Sequence, residues 1–357
     1  MYLFILILRN PISTLRFLYT WSTLSVIVIL RRILVPHISQ YQSTRVQLQR
    51  AYLLSCSSTF PDLTHRLPVG QVSQVRATPI GTTGFIGYVI PGSQSPILDG
   101  LTKSFHRTQC VALYAHGGGY ARGEAKMYMN YMERWVQKAR ESGLDLVFLS
   151  VEYPLTDKAS HPAQRDAFLK AYQYLLDQGI SPDNIIFMGD SAGGGSCILS
   201  SIECLSTATK NRQLPQPAGS ILLSPWMDMS MRAFNGGNAL AATDYVNANR
   251  DIPILVKKWL QDKVAPTSPQ VNPLYRQPVE IEGLNPQLIL VGAAEFTLPE
   301  AKDWAALCER AGVRHRLVCE WGQLHNYALG SAWVEPAIRN RTDASIVSWM
   351  QMCLGGN

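Results

Sequence analysis

Residues 184–205 read "NIIFMGDSAGGGSCILSSIECL". The first six, NIIFMG, form an apolar run opened by two β-branched isoleucines after Asn184, as in a buried strand. The rest, from Ala192, suits a helix. Between them lies G-x-S-x-G, as Gly189, Asp190, Ser191, Ala192 and Gly193. A serine on a sharp strand-to-helix turn has its Oγ exposed on a strained backbone, and glycines two residues either side let the neighbouring chain approach without a Cβ clash. The helix then aims its N-terminal N–H groups at the same point. That is the local geometry of an activated nucleophile. A phosphate-binding glycine turn is the competing reading, but no Walker lysine follows the glycines.

A second glycine run, "YAHGGGYARG" (114–123), follows the apolar run Cys110–Leu113. Glycine costs backbone entropy, so three in succession point to a place where backbone N–H groups approach something closely. Acyl transfer builds negative charge on a carbonyl oxygen, and removing one preset donor costs about 10²–10³ in rate. The expected donors are the N–H groups of Gly117, Gly118 and Ala192. His116 and Gly119 are expected to support the loop, His116 by ordering it through hydrogen bonds.

Outward from these two loops, apolar runs alternate with helical segments. The runs are "CVALYA", "LDLVFLSV" (144–151), "NIIFMG", "GSILLS" (219–224), "QLILVGA" (287–293) and "RLVCEW" (316–321). "PAQRDAFLKAYQYLLDQG" (162–179) and "PEAKDWAALCERAG" (299–312) each begin at proline and stop at glycine, as helices do. Alternation of this kind argues an α/β fold with a mostly parallel sheet covered on both faces. Residues 72–92 suggest a hairpin broken at Gly81. About 231–277 has no strand pattern and reads as a helical insertion of the kind that forms lids.

With 357 residues the chain can bury a large core, as one domain with a lid or as two smaller domains. Its seven cysteines make no CxxC or Cys/His metal spacing, and most fall in apolar surroundings, which favours buried free thiols. The net charge of +6 resides entirely in residues 1–50, which hold six arginines and no acid. The remaining 26 basic and 26 acidic residues cancel, so the body has no electrostatic case for nucleic acid. Phe17–Leu30 is uncharged, flanked by Arg16 and Arg31-Arg32. Residues 1–40 are therefore read as a membrane anchor, with a buried helix or an Arg-rich transit peptide as alternatives. Asn340-Arg341-Thr342 is a glycosylation acceptor sequence and so a check on topology.

Taken in order, "HGGGY", "YPLTDKASHPAQRDA" (153–167), "GDSAGGG" and "SPWMDMS" (224–230) resemble the hormone-sensitive-lipase-like branch of the α/β-hydrolases, from about residue 72 to the C-terminus. The resemblance implies esterase chemistry, an eight-stranded sheet and a cap built partly from N-terminal helices, placed here at 41–70 ahead of a catalytic domain at 71–357. It also implies the order serine, acid, histidine. The acid position after "QLILVGA" falls on Glu295, where the family more often has aspartate; Glu300 and Asp303 compete. The histidine position in "CEWGQLHNYAL" falls on His325. His37, His65, His106, His116 and His161 precede Ser191, and His315 enters the strand.

In the mechanism so implied, His325 takes the Ser191 proton, Glu295 holds the imidazole, and an acyl-enzyme is hydrolysed without metal or cofactor. The expected substrate is a short-chain ester of a lipophilic alcohol, and the chain also resembles, less specifically, fungal sterol-acetate and secondary-metabolite deacetylases. A transacylase or lactonase would use the same residues. A non-catalytic binder on this scaffold, like the plant gibberellin receptors, would lack the histidine. A membrane such as the endoplasmic reticulum is the expected location, with a soluble intracellular protein as the alternative.

Overall fold

The computed structural model describes residues 9–36, 41–60, 76–82, 84–92, 109–207, 214–232, 243–246 and 248–355. His37, His65, His106, the end of the expected 41–70 cap and part of the 231–277 insertion lie outside them.

Eight strands form one sheet: β1 (Thr78–Thr82), β2 (Phe85–Ile90), β3 (Gln109–Ala115), β4 (Asp145–Glu152), β5 (Ile185–Asp190), β6 (Gly219–Leu223), β7 (Gln287–Gly292) and β8 (His315–Glu320). Their order is β1-β2-β4-β3-β5-β6-β7-β8. β2 runs antiparallel to both neighbours, and every other pairing is parallel. Parallel strands need crossovers, and helices supply them. Strand residues alternate between two cores, one on each face. Val111, Leu113, Ala115, Ile185 and Phe187 enter the first, with Phe168, Tyr172, Ile198 and Trp304 from α4 (Ala163–Asp177), α5 (Ala192–Thr207) and α7 (Leu298–Arg310). Cys110, Ala112, Tyr114, Ile186 and Met188 enter the second, with Trp135 and Trp349 from α3 (Met129–Glu141) and α8 (Pro336–Leu354). Burial on both faces is why these strands read as continuous apolar runs.

The hairpin differs from expectation. Gly81 does not break it. Gly81 pairs with Ile86 inside β1, and the chain turns after Thr82. An edge strand tolerates a glycine that packs little, so Gly81 lies within the strand and does not mark the turn. The 231–277 stretch contains α6 (Ala248–Leu260) and, among its described residues, no strand.

Among the described residues two helices precede the sheet, α1 (Pro11–Leu34) and α2 (Thr44–Thr59). Ser43 caps α2 by accepting the Val46 N–H. Val46 and Leu53 of α2 pack against Tyr245 and Leu324 of the body. α1 begins on Pro11, whose missing N–H costs nothing there, and runs on through Arg16. It leans on α2 through Phe17 and Trp21, each 5.9 Å from the Tyr52 ring. Its outer face is apolar and bare: Ile12, Leu15, Tyr19, Ile33 and Leu34 are all more than two-thirds exposed. It is long and apolar enough to cross a membrane.

All seven cysteines are free thiols; Cys56, Cys110, Cys197, Cys204 and Cys308 are buried, and Cys319 is exposed.

Candidate active site

Ser191 sits between β5 and α5 with φ of 51°, a left-handed conformation that non-glycine residues rarely adopt. Tertiary hydrogen bonds hold it there. Its N–H donates to the Leu223 carbonyl (2.9 Å), and its own carbonyl accepts from Trp226 N–H (2.9 Å) and Gly195 N–H (3.1 Å). The turn closes only because Gly189 and Gly193 lack side chains: a Cβ on Gly193 would overlap the Ala115 carbonyl, and one on Gly189 would overlap Gly193.

The loop after β7 brings Glu295 beneath this turn, and the loop after β8 brings His325. His325 Nε2 lies 2.9 Å from Ser191 Oγ, and His325 Nδ1 lies 3.5 Å from Glu295 Oε1. Glu295 is fully buried. Its Oε2 accepts from Ser224 Oγ (2.7 Å) and Gly292 N–H (2.9 Å), and Thr297 Oγ1 donates to Oε1. Burial by itself would pull the His325 imidazolium down. The hydrogen bond and charge of Glu295, with the charges of Asp244 and Asp190, outweigh it and leave His325 above its ordinary pKa. The competing acids lie elsewhere. Glu300 Oε2 accepts from Met227 N–H (2.8 Å) and Asp228 N–H (3.0 Å), and burial holds its carboxyl well above the usual range. Asp303 pairs with Arg232 at the surface (2.7 Å).

The glycine loop departs from expectation at one residue. Gly117 N–H donates to Asp190 Oδ1 (2.8 Å), so it is engaged inside the protein and not aimed at substrate. The N–H groups of Gly118, Gly119 and Ala192 have no hydrogen-bonded partner among the described residues. Gly118 and Gly119 line the pocket with Ser191, at φ of 110° and 61°. The free N–H groups of this loop are thus those of Gly118 and Gly119, one residue along from the expected pair, with Ala192 opposite. Asp190 organises this arrangement. It also accepts from Tyr114 Oη (2.8 Å), Tyr128 Oη (3.2 Å) and Asn326 Nδ2 (3.1 Å). Burial raises its pKa to about 6, although these donors pull the other way. His116 is buried behind the loop. Its ring stacks on Tyr153 (4.2 Å), and Nδ1 lies 2.7 Å from the Gly117 carbonyl, which requires the proton on that nitrogen. Burial lowers its pKa to about 4, so it stays neutral.

The pocket over Ser191 has a volume of about 80 Å³, and its walls include Trp226, Tyr245, Ile252, Leu255 and Phe296. Ile252 and Leu255 come from α6, and Ser57 of α2 also reaches it. Four contributors escaped the sequence reading. Ser224 was visible in "SPWMDMS" without a role. Thr297 and Asn326 flank the acid and histidine without a distinguishing pattern. Asp244 lies in a stretch with no periodic signal.

A family model described as an alpha/beta hydrolase fold matches residues 112–329. The chain belongs to that family, and within it to the hormone-sensitive-lipase-like esterases. It is a carboxylic ester hydrolase. It is 29% identical over 235 residues to an esterase of Acinetobacter venetianus, covering 64% of this chain and 71% of that one. To an acetyl-hydrolase of Streptomyces hygroscopicus it is 26% identical over 200 residues, covering 56% and 62%. Among solved structures, an esterase/lipase from an uncultured bacterium superposes with a TM-score of 0.66 at 21% identity, over 94% of this chain and 99% of that one. That last likeness speaks to the fold.

Proposed function

We propose that Ser191, His325 and Glu295 carry out ester hydrolysis on short-chain esters of a lipophilic alcohol. Ser191 Oγ attacks the acyl carbon as its proton passes to His325 Nε2. The oxyanion is held by the N–H groups of Gly118, Gly119 and Ala192. The imidazolium, steadied by Glu295, then gives its proton to the departing alkoxide. Water repeats the sequence on the acyl-enzyme, releasing the acid and Ser191. The observation that carries this reading is the 2.9 Å contact between Ser191 Oγ and His325 Nε2 at the floor of a pocket lined by unengaged N–H groups. A binder that had abandoned catalysis would have no need of that contact.

The substrate class rests on shape. Ligand pockets commonly enclose roughly 300–1,000 Å³. The cavity here, about 80 Å³, supports a small acyl group. Its rim of Ile252, Leu255, Phe296 and Tyr245 supports an apolar alcohol outside it. The name of the Streptomyces relative, an acetyl-hydrolase, agrees with the first point. The bare apolar face of α1, about 36 Å long at 1.5 Å per residue, supports contact with a bilayer, whose core is about 30 Å thick. We therefore read 1–40 as the membrane segment, 41–70 as cap and 71–357 as the catalytic domain.

Hydrolysis rates across esters from acetyl to palmitoyl, with small and sterol-sized alcohols, test the substrate class; a palmitoyl optimum would sink it. Ser191→Ala should abolish hydrolysis and labelling by an organophosphate while leaving the fold intact. An alanine variant that still labels fully would move the nucleophile elsewhere.

A further inference from the structure

Two loops must meet for the proposed chemistry, one bearing Glu295 and the other His325, and their side chains touch at 3.5 Å. That is the long end of a hydrogen bond, so a small slip of either loop would part them. One carboxylate spans both loops. Asp244 is buried. Its Oδ1 accepts the backbone N–H of His325 (3.2 Å) and of Tyr245 (2.8 Å), and its Oδ2 accepts the N–H of Phe296, the residue after Glu295 (3.2 Å). Thr243 adds a bond on the other side of Glu295, from Oγ1 to the Ala294 carbonyl (2.9 Å). The same short strap is tied to the N-terminal helices: Arg50 Nε donates to the Asp244 carbonyl (2.9 Å), and Gln42 Nε2 to the Thr243 and Gly322 carbonyls (3.3 Å each).

We infer that Asp244 is a positioning residue for hydrolysis: its carboxylate locks the Glu295 and His325 loops in register and adds its negative charge to those that face His325. The inference rests on the proposed roles of Ser191, Glu295 and His325. A charged acceptor with three backbone donors is a strong tie. In a pre-organised site a 1 Å misplacement costs about 10² in rate. The groups that face His325 are Ser191, Glu295, Asp190 and Asp244, with the Tyr245 and Phe296 rings. Three of them are acids. Burial raises Asp244 to about 6, so above that pH it is charged, and removing the charge there weakens the imidazolium and favours the neutral base.

The test is Asp244→Asn. The amide replaces one accepting oxygen by a donor, so whichever way it turns, a donor faces at least one loop N–H. With a small water-soluble acetate, kcat should fall about 10- to 100-fold with KM little changed. The acidic limb of kcat/KM should move to lower pH, which loss of packing alone would not do. Thr243→Val, isosteric and without change of charge, should lower kcat several-fold and leave the limb in place. A folded Asp244→Asn enzyme with wild-type kcat and an unmoved limb overturns the inference. If Asp244→Asn does not fold, Thr243→Val decides: an unchanged kcat overturns it. Ser191→Ala assayed alongside separates the two ideas, because residual turnover there would mean the underlying triad assignment is wrong.

Discussion

Glu295 and Glu300 stand five positions apart, both buried, and their neighbours give them different work. Glu295 has three donors on its oxygens besides His325. Glu300 braces the Met227–Asp228 backbone, and burial holds its carboxyl well above the usual range. Glu295→Gln should cut kcat by about 10⁴, the loss seen when a triad acid becomes an amide and favours the wrong tautomer. Glu300→Gln should stay within a few-fold, because one amide oxygen can accept both backbone N–H groups. Steady-state kinetics on the two variants checks the ranking, and the reverse order would exchange their roles. Ser191 and His325 were legible in the sequence because spacing and position relative to strands define them. Which N–H groups of the glycine loop are free was legible only to within one residue. Three consecutive glycines look alike in sequence, and only Asp190, reaching across from β5, decides which N–H turns inward. Asp244 was not legible at all, since its partners are backbone groups that any sequence would supply.

The elements themselves were the most readable level. Buried parallel strands are apolar on both faces, so each appeared as a run bounded within a residue or two of its observed ends. The hairpin was misjudged at Gly81 because an edge strand lacks that signal. The close approach of α5 to β3 is a property of two elements, and one atom governs it. Gly193→Ala would place a Cβ against the Ala115 carbonyl, and neither backbone can move without shifting β3 or the start of α5. Overpacking a core typically costs about 1–3 kcal/mol, so the variant should melt several degrees lower. It should also lose activity out of proportion, because the same shift displaces Ser191. Calorimetry with organophosphate titration would show both; a variant with wild-type melting and full labelling would mean the turn is looser than drawn.

At the scale of the molecule, α1 gathers the exposed apolar surface while α2 carries contacts to the catalytic body. Deleting residues 1–40 should release the protein from the membrane fraction. It should also impair turnover of a sterol-sized ester more than that of a small acetate, if the proposed cap and bilayer contact serve the large substrate. A full-length protein that stays in the supernatant, together with a truncation that unfolds, would make α1 a structural helix. The free thiols described above have a use in such experiments. Reaction with a maleimide needs an accessible thiolate. Burial raises Cys204 and Cys308 to about 12 and holds Cys197 far above its usual value. Cys319 is exposed and should label first, although burial raises its thiol as well. Cys110 in β3, Cys197 in α5 and Cys308 in α7 should wait for their own elements to open. Mass spectrometry of a timed alkylation would then give each layer of the sheet its own clock, and show whether the nucleophile's helix loosens before the core or with it.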